Sequence, residues 1–335
     1  MNKLSTKRFD SIDGIRVIAC ICIVLMHVKA NLNFSFSNDV LDFIVDQFTN
    51  FVFLFMTISA FGMCCGYYEK IKNNEISPVD FYSKRIKKLL PFFVFLIIID
   101  LIVEHNIPSI IEGFANSTLL FNFLNKDLSV IGVAWFLGLV FMFYLLFPFF
   151  TYLFRNKKSA WFVTLIAVLM NIVSIYYFNV GRTNMFYSFV YFCVGGLIYL
   201  YKDNIICIFS KSRIYGIVFI ILSIVFYFVL PSNNEYLLLL KWILLSASLV
   251  CYSISYNSNV LNNKITKYLG IISLELYLCH MVVFRALEKL NIISLFSNNL
   301  LSYICIFVMV FIGASLLSIG FNKAYSIFEK KVLKS

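Results

Sequence analysis

Charge is scarce in this chain: Asp, Glu, Lys and Arg make up 13% of 335 residues, against 61% hydrophobic residues. Mean hydropathy is +0.87. Those proportions exclude an ordinary soluble domain, because so many apolar runs reach or approach the ~17–25 residues that span a bilayer. Period-two alternation is missing from these runs, which excludes a membrane barrel and leaves helices. Also lacking are any internal repeat, low-complexity linker or soluble insertion, so residues 1–335 read as a single membrane domain. The nine cysteines show no metal-like spacing and no extracellular pairing, and are expected to be small apolar fillers with no metal site. The first apolar segment lacks a small-residue cleavage site and carries Asp13 and Arg16 at its start. Although Lys3, Lys7 and Arg8 precede it, it reads as a permanent helix and not a signal peptide.

What is present is an all-α, polytopic bundle. Apolar runs between charged breaks predict ten spans, at 12–30, 45–67, 89–104, 132–154, 160–179, 185–201, 214–230, 236–256, 266–288 and 300–322. Cytoplasmic loops collect Lys and Arg, and with the N-terminus inside, 21 of the 28 basic residues fall on the cytoplasmic side. Four stay outside (Lys29, Lys126, Arg182, Lys289) and three lie within spans (Arg16, Lys241, Arg285). Both termini are therefore expected in the cytoplasm, in a multi-pass protein of the inner (plasma) membrane. The same asymmetry accounts for the net charge of +11 through contact with anionic membrane lipids, without a nucleic-acid partner. The longest outside segment, 105–131, contains the amphipathic Pro108-Ser-Ile-Ile-Glu-Gly-Phe, expected to lie in the interface or to dip back as a lid.

Ionisable side chains inside the first span need a physical reason, because each costs a few kcal/mol at membrane depth and normally faces a partner or a water-filled cavity. At ~100° per residue, Asp13, Arg16, Cys20 and His27 share one stripe of a helix. The eleven residues from Arg16 to His27 rise about 16 Å, so the two act at different depths. His27 reads either as a base kept neutral by burial or as a packing hydrogen bond to a neighbouring helix. A nearby carboxylate would hold its ring. The segment Phe81-Tyr-Ser-Lys-Arg-Ile-Lys-Lys-Leu-Leu-Pro91 reads as a cationic loop before the third span, either an anionic head-group site or a phosphate clamp. Arg85 and Lys88 would share one side of a turn. The aromatic run Trp135–Pro148 fits interface anchoring and a kink or helix end at the proline. In 269–280, Ser273, Tyr277 and His280 share a face while Glu275 points elsewhere; His280 is either part of that face's function or solvated at the outer interface.

Together these stretches resemble the acyltransferase-3 family of integral membrane acyltransferases. Its Leu-Asp-Gly-Leu-Arg-like start and terminal histidine are similar to Ile12-Asp-Gly-Ile-Arg16 followed by His27. Its Arg-x-x-Arg before an Ile-Tyr-Pro-like triplet resembles Arg85-Ile-Lys-Lys88 before Leu89-Leu-Pro91, with lysine for the second arginine. Its Phe-Phe-x-x-Ser-Gly-Phe helix resembles Leu54–Phe61, which contains Ser59, and its Trp-Phe-Leu helix resembles Trp135–Pro148. Its Ser-Tyr-x-x-Tyr-Leu-x-His signature is similar to Ser273, Tyr277, Leu278 and His280, with Leu274 where the family has tyrosine. Gly138–Phe141 lacks the acidic residue that many members place after the tryptophan, so no carboxylate role is assigned there.

The resemblance implies an O-acyltransferase that moves an acyl group, usually acetyl, from acyl-coenzyme A to a hydroxyl of a cell-surface glycan or its lipid-linked precursor. Acetyl-CoA is then a donor substrate and no cofactor is permanently bound. His27 is expected to be the catalytic base or a transient acyl carrier, and Arg16, Arg85 and Lys88 to hold the coenzyme A phosphates. Asp13, Ser59, Trp135, Ser273, Tyr277 and His280 are the supporting residues. The alternative from a different class is an exporter of a glycan or small acylated solute without covalent chemistry, in which His27 lines a pathway. A structural scaffold would leave Arg16 and His27 unexplained.

Overall fold

The computed structural model describes residues 9–104, 107–119, 121, 132–230, 235–297 and 299–332. Among the described residues every regular element is helical: α1 (Ser11–Leu32), α2 (Asp39–Gln47), α3 (Phe51–Met63), α4 (Glu69–Lys72), α5 (Pro78–Glu104), α6 (Ile107–Ser117), α7 (Trp135–Leu153), α8 (Lys157–Tyr176), α9 (Met185–Ser210), α10 (Arg213–Val229), α11 (Glu235–Ser255), α12 (Lys264–Ile271), α13 (Ser273–Lys289) and α14 (Leu300–Val332). Short 3-10 turns sit at Phe48–Asn50 and Ile293–Leu295, and a π-helical turn at Cys64–Tyr68. The all-α membrane architecture expected from the sequence is what the chain adopts.

Seven stretches are long and apolar enough to cross a bilayer: Ser11–Leu32, Asp39–Lys72, Trp135–Leu153, Lys157–Tyr176, Met185–Ser210, Tyr236–Ser255 and Leu300–Lys331. The pair α12 and α13, bent by 72°, makes an eighth if it is one span. Of the ten expected spans, α10 is apolar but only 17 residues long, and α5 is divided between a basic first half and an apolar second. The basic residues at 3, 7, 8, 126 and 334 used in the topology argument lie outside the described residues, as does most of 120–131.

Three local features differ from the sequence reading. The cationic stretch 81–91 is not a loop: α5 begins at Pro78, where Ser77 Oγ accepts the Asp80 N–H at 3.0 Å and donates to the Asp80 carboxylate at 2.8 Å. This serine N-cap, with proline in the first helical position, starts the helix before the basic cluster. Of the two readings of Pro148, a kink or a helix end, the helix end does not hold: α7 runs on to Leu153, and Tyr82 Oη donates to the Leu145 carbonyl at 2.8 Å in the turn before the proline. The expected span 266–288 is broken at Ile272, where Ser273 Oγ takes the Gly270 carbonyl at 2.9 Å, the acceptor an unbroken helix gives to residue 274.

The described residues form two compact units. One comprises residues up to Arg16, Val52–Lys88 and Trp135–Lys267; the other comprises Val17–Phe51, Leu89–Ala134 and Tyr268 onward. In the first, α9 packs against α8, α10 and α11. An aromatic column on α7 runs through Phe143, Phe147 and Phe150 to Phe154 just past its end, with Phe150 and Phe154 stacked at 4.0 Å and Phe192 of α9 lying 4.8 Å from Phe143. Phe81 of α5 stacks on Phe147 at 5.7 Å, and Tyr68 Oη donates to the Phe154 carbonyl at 2.8 Å. These contacts hold the basic half of α5 and the π turn to one side of α7. In the second unit α14 lies along α13, and Tyr303 Oη donates to the Leu25 carbonyl of α1 at 3.0 Å. Lys29, expected in an outer loop, is buried on α1 and paired with Asp42 at 2.9 Å and Asp46 at 2.7 Å. The amphipathic stretch is helix α6; it leaves Ile107, Ile110, Ile111 and Phe114 exposed while Gly113 meets Ile97 and Leu101 of α5.

Close approach of α9 to α3 depends on Gly195, where a Cβ would collide with the Thr57 carbonyl and lie 2.7 Å from the Ala60 Cβ. Nothing lies within 4 Å of a Cβ built at Gly66. Gly195→Ala is therefore expected to destabilise by about 1–3 kcal/mol, as overpacked helix contacts do. Gly66→Ala should leave Tm in detergent unchanged, and equal Tm values for the two variants would refute this packing.

Candidate active site

In the first unit a basic cluster forms around Arg85. Its Nη2 donates to Tyr67 Oη at 2.5 Å and its Nη1 lies 3.4 Å from the Met63 sulfur, a weak acceptor. The guanidinium carbon is 4.5 Å from the Tyr67 ring centroid and 5.7 Å from that of Tyr144. Arg85 Nε is buried without a hydrogen-bond partner among the described residues, and none of the ion pairs there involves Arg85. Among the described residues this guanidinium thus keeps one buried donor without a partner and has no carboxylate beside it, an arrangement with capacity for an anion.

Arg16 belongs to the same unit. Its Nη1 pairs with the buried Asp13 at 3.0 Å, which fixes the side chain and lowers the cost of its charge inside a helix bundle. Gly62 of α3 leaves the room it occupies, since a Cβ there would sit 3.3 Å from Arg16 Nη2. Tyr144 lies within the electrostatic field of both Arg16 and Arg85. Ser59 is half-buried on α3, one turn before Gly62 and Met63, the residues that meet the two arginines. Lys88 follows Arg85 by three residues on α5, hence on one side of the helix, and is exposed. Trp135 stands apart: it lies nine residues along α7 from Tyr144, about 14 Å by helical rise, where Arg182 sits 5.7 Å from its ring.

In the second unit the rings of His27 and His280 face each other with centroids 5.1 Å apart and planes at 56°. One neighbour of the His27 ring is thus a second imidazole. His280 is fully buried, which overturns the solvated reading of that residue. Its Nδ1 is 2.5 Å from the Tyr277 carbonyl. Tyr277 Oη donates to the Val133 carbonyl at 3.1 Å, and the Ser273 carbonyl accepts from the Cys20 thiol at 3.8 Å. Asn31 Nδ2 donates to the His27 carbonyl at 2.7 Å. The polar stripe of α1 is therefore partnered along its length, by an ion pair at Asp13 and Arg16, by α13 at Cys20, and by a second histidine at His27.

Sequence reasoning missed Tyr67 and Tyr144, the aromatic walls of the Arg85 site. Tyr144 stood in the aromatic run 135–148 with no feature separating it from its neighbours. Tyr67 is presented by the π turn at Cys64–Tyr68, a distortion common at functional sites that apolar periodicity does not reveal. Among the described residues no group of three or more His, Cys, Asp or Glu side chains could hold a metal ion.

A half-buried histidine against a fully buried one, and an arginine cluster lined by tyrosines, both lie on elements of a membrane bundle. Comparison with curated proteins and with solved structures gives no match. A family profile described as an acyltransferase domain matches residues 9–319. That match runs over nearly all of the chain and across every element carrying these side chains, and the protein belongs to the acyltransferase-3 family of membrane acyltransferases.

Proposed function

We propose that this acyltransferase moves an acetyl group from acetyl-CoA to a hydroxyl of a cell-surface glycan or its lipid-linked precursor, within the inner (plasma) membrane. Arg85 carries the reading. Among the described residues its Nε has no partner and no carboxylate pairs with it, which suits the diphosphate of coenzyme A, with Arg16 and the exposed Lys88 adding charge. Tyr67 and Tyr144 hold the guanidinium plane in place, so little side-chain entropy is lost on binding.

Transfer requires the acceptor oxygen to bond to the thioester carbonyl carbon while its proton leaves. His27 takes that proton as general base. The tetrahedral intermediate then expels the coenzyme A sulfur, which leaves as thiol with the proton returned by His27. No water enters the balance. A dry bundle favours the glycan hydroxyl over hydrolysis. Arg16 and His27 lie eleven residues apart on α1, about 16 Å by helical rise.

Two outcomes follow. Arg85→Gln should raise the KM for acetyl-CoA by about 10–100-fold, the worth of hydrogen bonds to a charged group. Arg85→Lys should recover only part of the loss, because an ammonium lacks the planar fork. His27→Ala should lower kcat by about 10²–10⁴-fold and leave acetyl-CoA binding intact. Membranes supplied with labelled acetyl-CoA give both readouts. Mass spectrometry of surface glycans from cells with and without the gene should show an acetyl-sized difference. Unchanged glycan masses with altered export would replace transfer by transport.

A further inference from the structure

A second polar cluster in the first unit is used by none of the steps above. Where the chain enters α1 and leaves α11, a cavity of about 230 Å³ is lined by residues 9–11, 253–257 and 262. Three consecutive residues of α3 tie its position to the arginines. Phe61 packs edge-on against Phe9 at 5.5 Å, Gly62 meets Arg16 Nη2, and Met63 lies 3.4 Å from Arg85 Nη1. Along α1, Ser11 at the cavity precedes Arg16 by five residues, about 8 Å by helical rise.

The hydroxyl donors around this cavity are taken, and several of its acceptors are not. Ser253 Oγ and Ser255 Oγ turn back into α11, each onto a carbonyl at 2.8 Å, and Ser11 Oγ donates to the Tyr256 carbonyl at 3.0 Å. Tyr256 Oη donates to the Ser212 carbonyl at 2.6 Å, and Asn262 Nδ2 donates to Asn257 Oδ1. Asp10 is paired with Lys267 at 2.9 Å. The last four carbonyls of a helix have no partner within it. At the end of α11 the Tyr252 carbonyl takes the Tyr256 N–H at 3.0 Å, whereas those of Ser253, Ile254 and Ser255 receive no backbone N–H among the described residues. Asn262 Oδ1 is buried, also without a partner there. Unfilled acceptors at the negative end of a helix dipole repel a phosphate and call for a ligand that brings its own N–H.

We propose that this cavity receives the adenine of coenzyme A, with the amino group of the base donating to Asn262 Oδ1 and the phosphates lying on the arginine side. Its volume falls below the ~300–1,000 Å³ of pockets that enclose a whole drug-sized ligand, so it suits a single ring system. Phe9 and Tyr256, both in its lining, offer ring faces of the kind on which bases stack. Of the parts of the carrier, the base alone joins a flat ring to an amino donor. The inference rests on coenzyme A as the acyl carrier and names what reads its far end.

Coenzyme A and its hypoxanthine counterpart, in which a carbonyl oxygen replaces the amino group, test this without any change to the protein. In lipid discs, calorimetry should show the parent chain binding coenzyme A about tenfold more tightly, because the hypoxanthine oxygen would face Asn262 Oδ1 and leave it buried and unpaired. Asn262→Ala should bind coenzyme A about tenfold more weakly than the parent does and should bind the two forms alike. A purely structural role for Asn262 would weaken both forms and keep their ratio. Acetyl-phosphopantetheine, which lacks the adenosine, should give the same KM with the parent and with Asn262→Ala. A parent that binds the two forms equally, or an Asn262→Ala protein that still separates them, would overturn the inference. Should Arg85→Gln bind coenzyme A as the parent does while the two bases are still distinguished, the phosphate assignment falls and the adenine site stands. Binding of neither form would sink both.

Discussion

Polar groups inside a helix bundle surrounded by lipid must find partners within the chain, and the organisation of this protein follows from how α1 meets that demand. Asp13 neutralises Arg16 one turn away at 3.0 Å. Cys20 donates to the Ser273 carbonyl, and His27 stands against His280. Even Lys29 near the end of the helix is buried between Asp42 and Asp46. Nearly every polar group on this helix is matched, so an unmatched one carries information. On other helices, Arg85 Nε of α5 and His280 Nε2 of α13 are among the buried polar atoms with no hydrogen-bond partner in the described residues.

These two atoms call for different chemistry. In the proposed reaction the guanidinium donor beside two tyrosines suits the phosphates of the acyl carrier, and His280 lies against the ring of His27, the proposed base. Their occurrence within one family domain gives the acyltransferase assignment a physical content that composition alone does not supply.

Much of this was legible in the sequence. The stripe Asp13, Arg16, Cys20 and His27 follows from helical periodicity, and the structure gives each member a partner. The shared face of Ser273, Tyr277 and His280 was visible for the same reason, and all three are buried. Pairing was not legible, because nothing in the order of residues brings position 27 to position 280. The start of α5 was written in Ser77-Pro-Val-Asp80 but was outweighed by the density of charge that follows, which reads as a loop. The break at Ile272 falls inside an unbroken apolar run, so no apolar pattern registers it. Tyr67 reaches Arg85 from a π turn whose sequence, Cys-Cys-Gly-Tyr-Tyr, has no helical signature of its own.

The central claim is that a thioester carried by coenzyme A is opened beside an imidazole held at membrane depth. A structure of the protein with a non-hydrolysable acetyl-CoA analogue tests it most directly. The account predicts the diphosphate within hydrogen-bond distance of Arg85 and the acetyl carbonyl carbon within about 6 Å of the His27 ring, the reach of one intervening hydroxyl. An analogue bound away from Arg85, or with its acetyl end remote from His27, would contradict it.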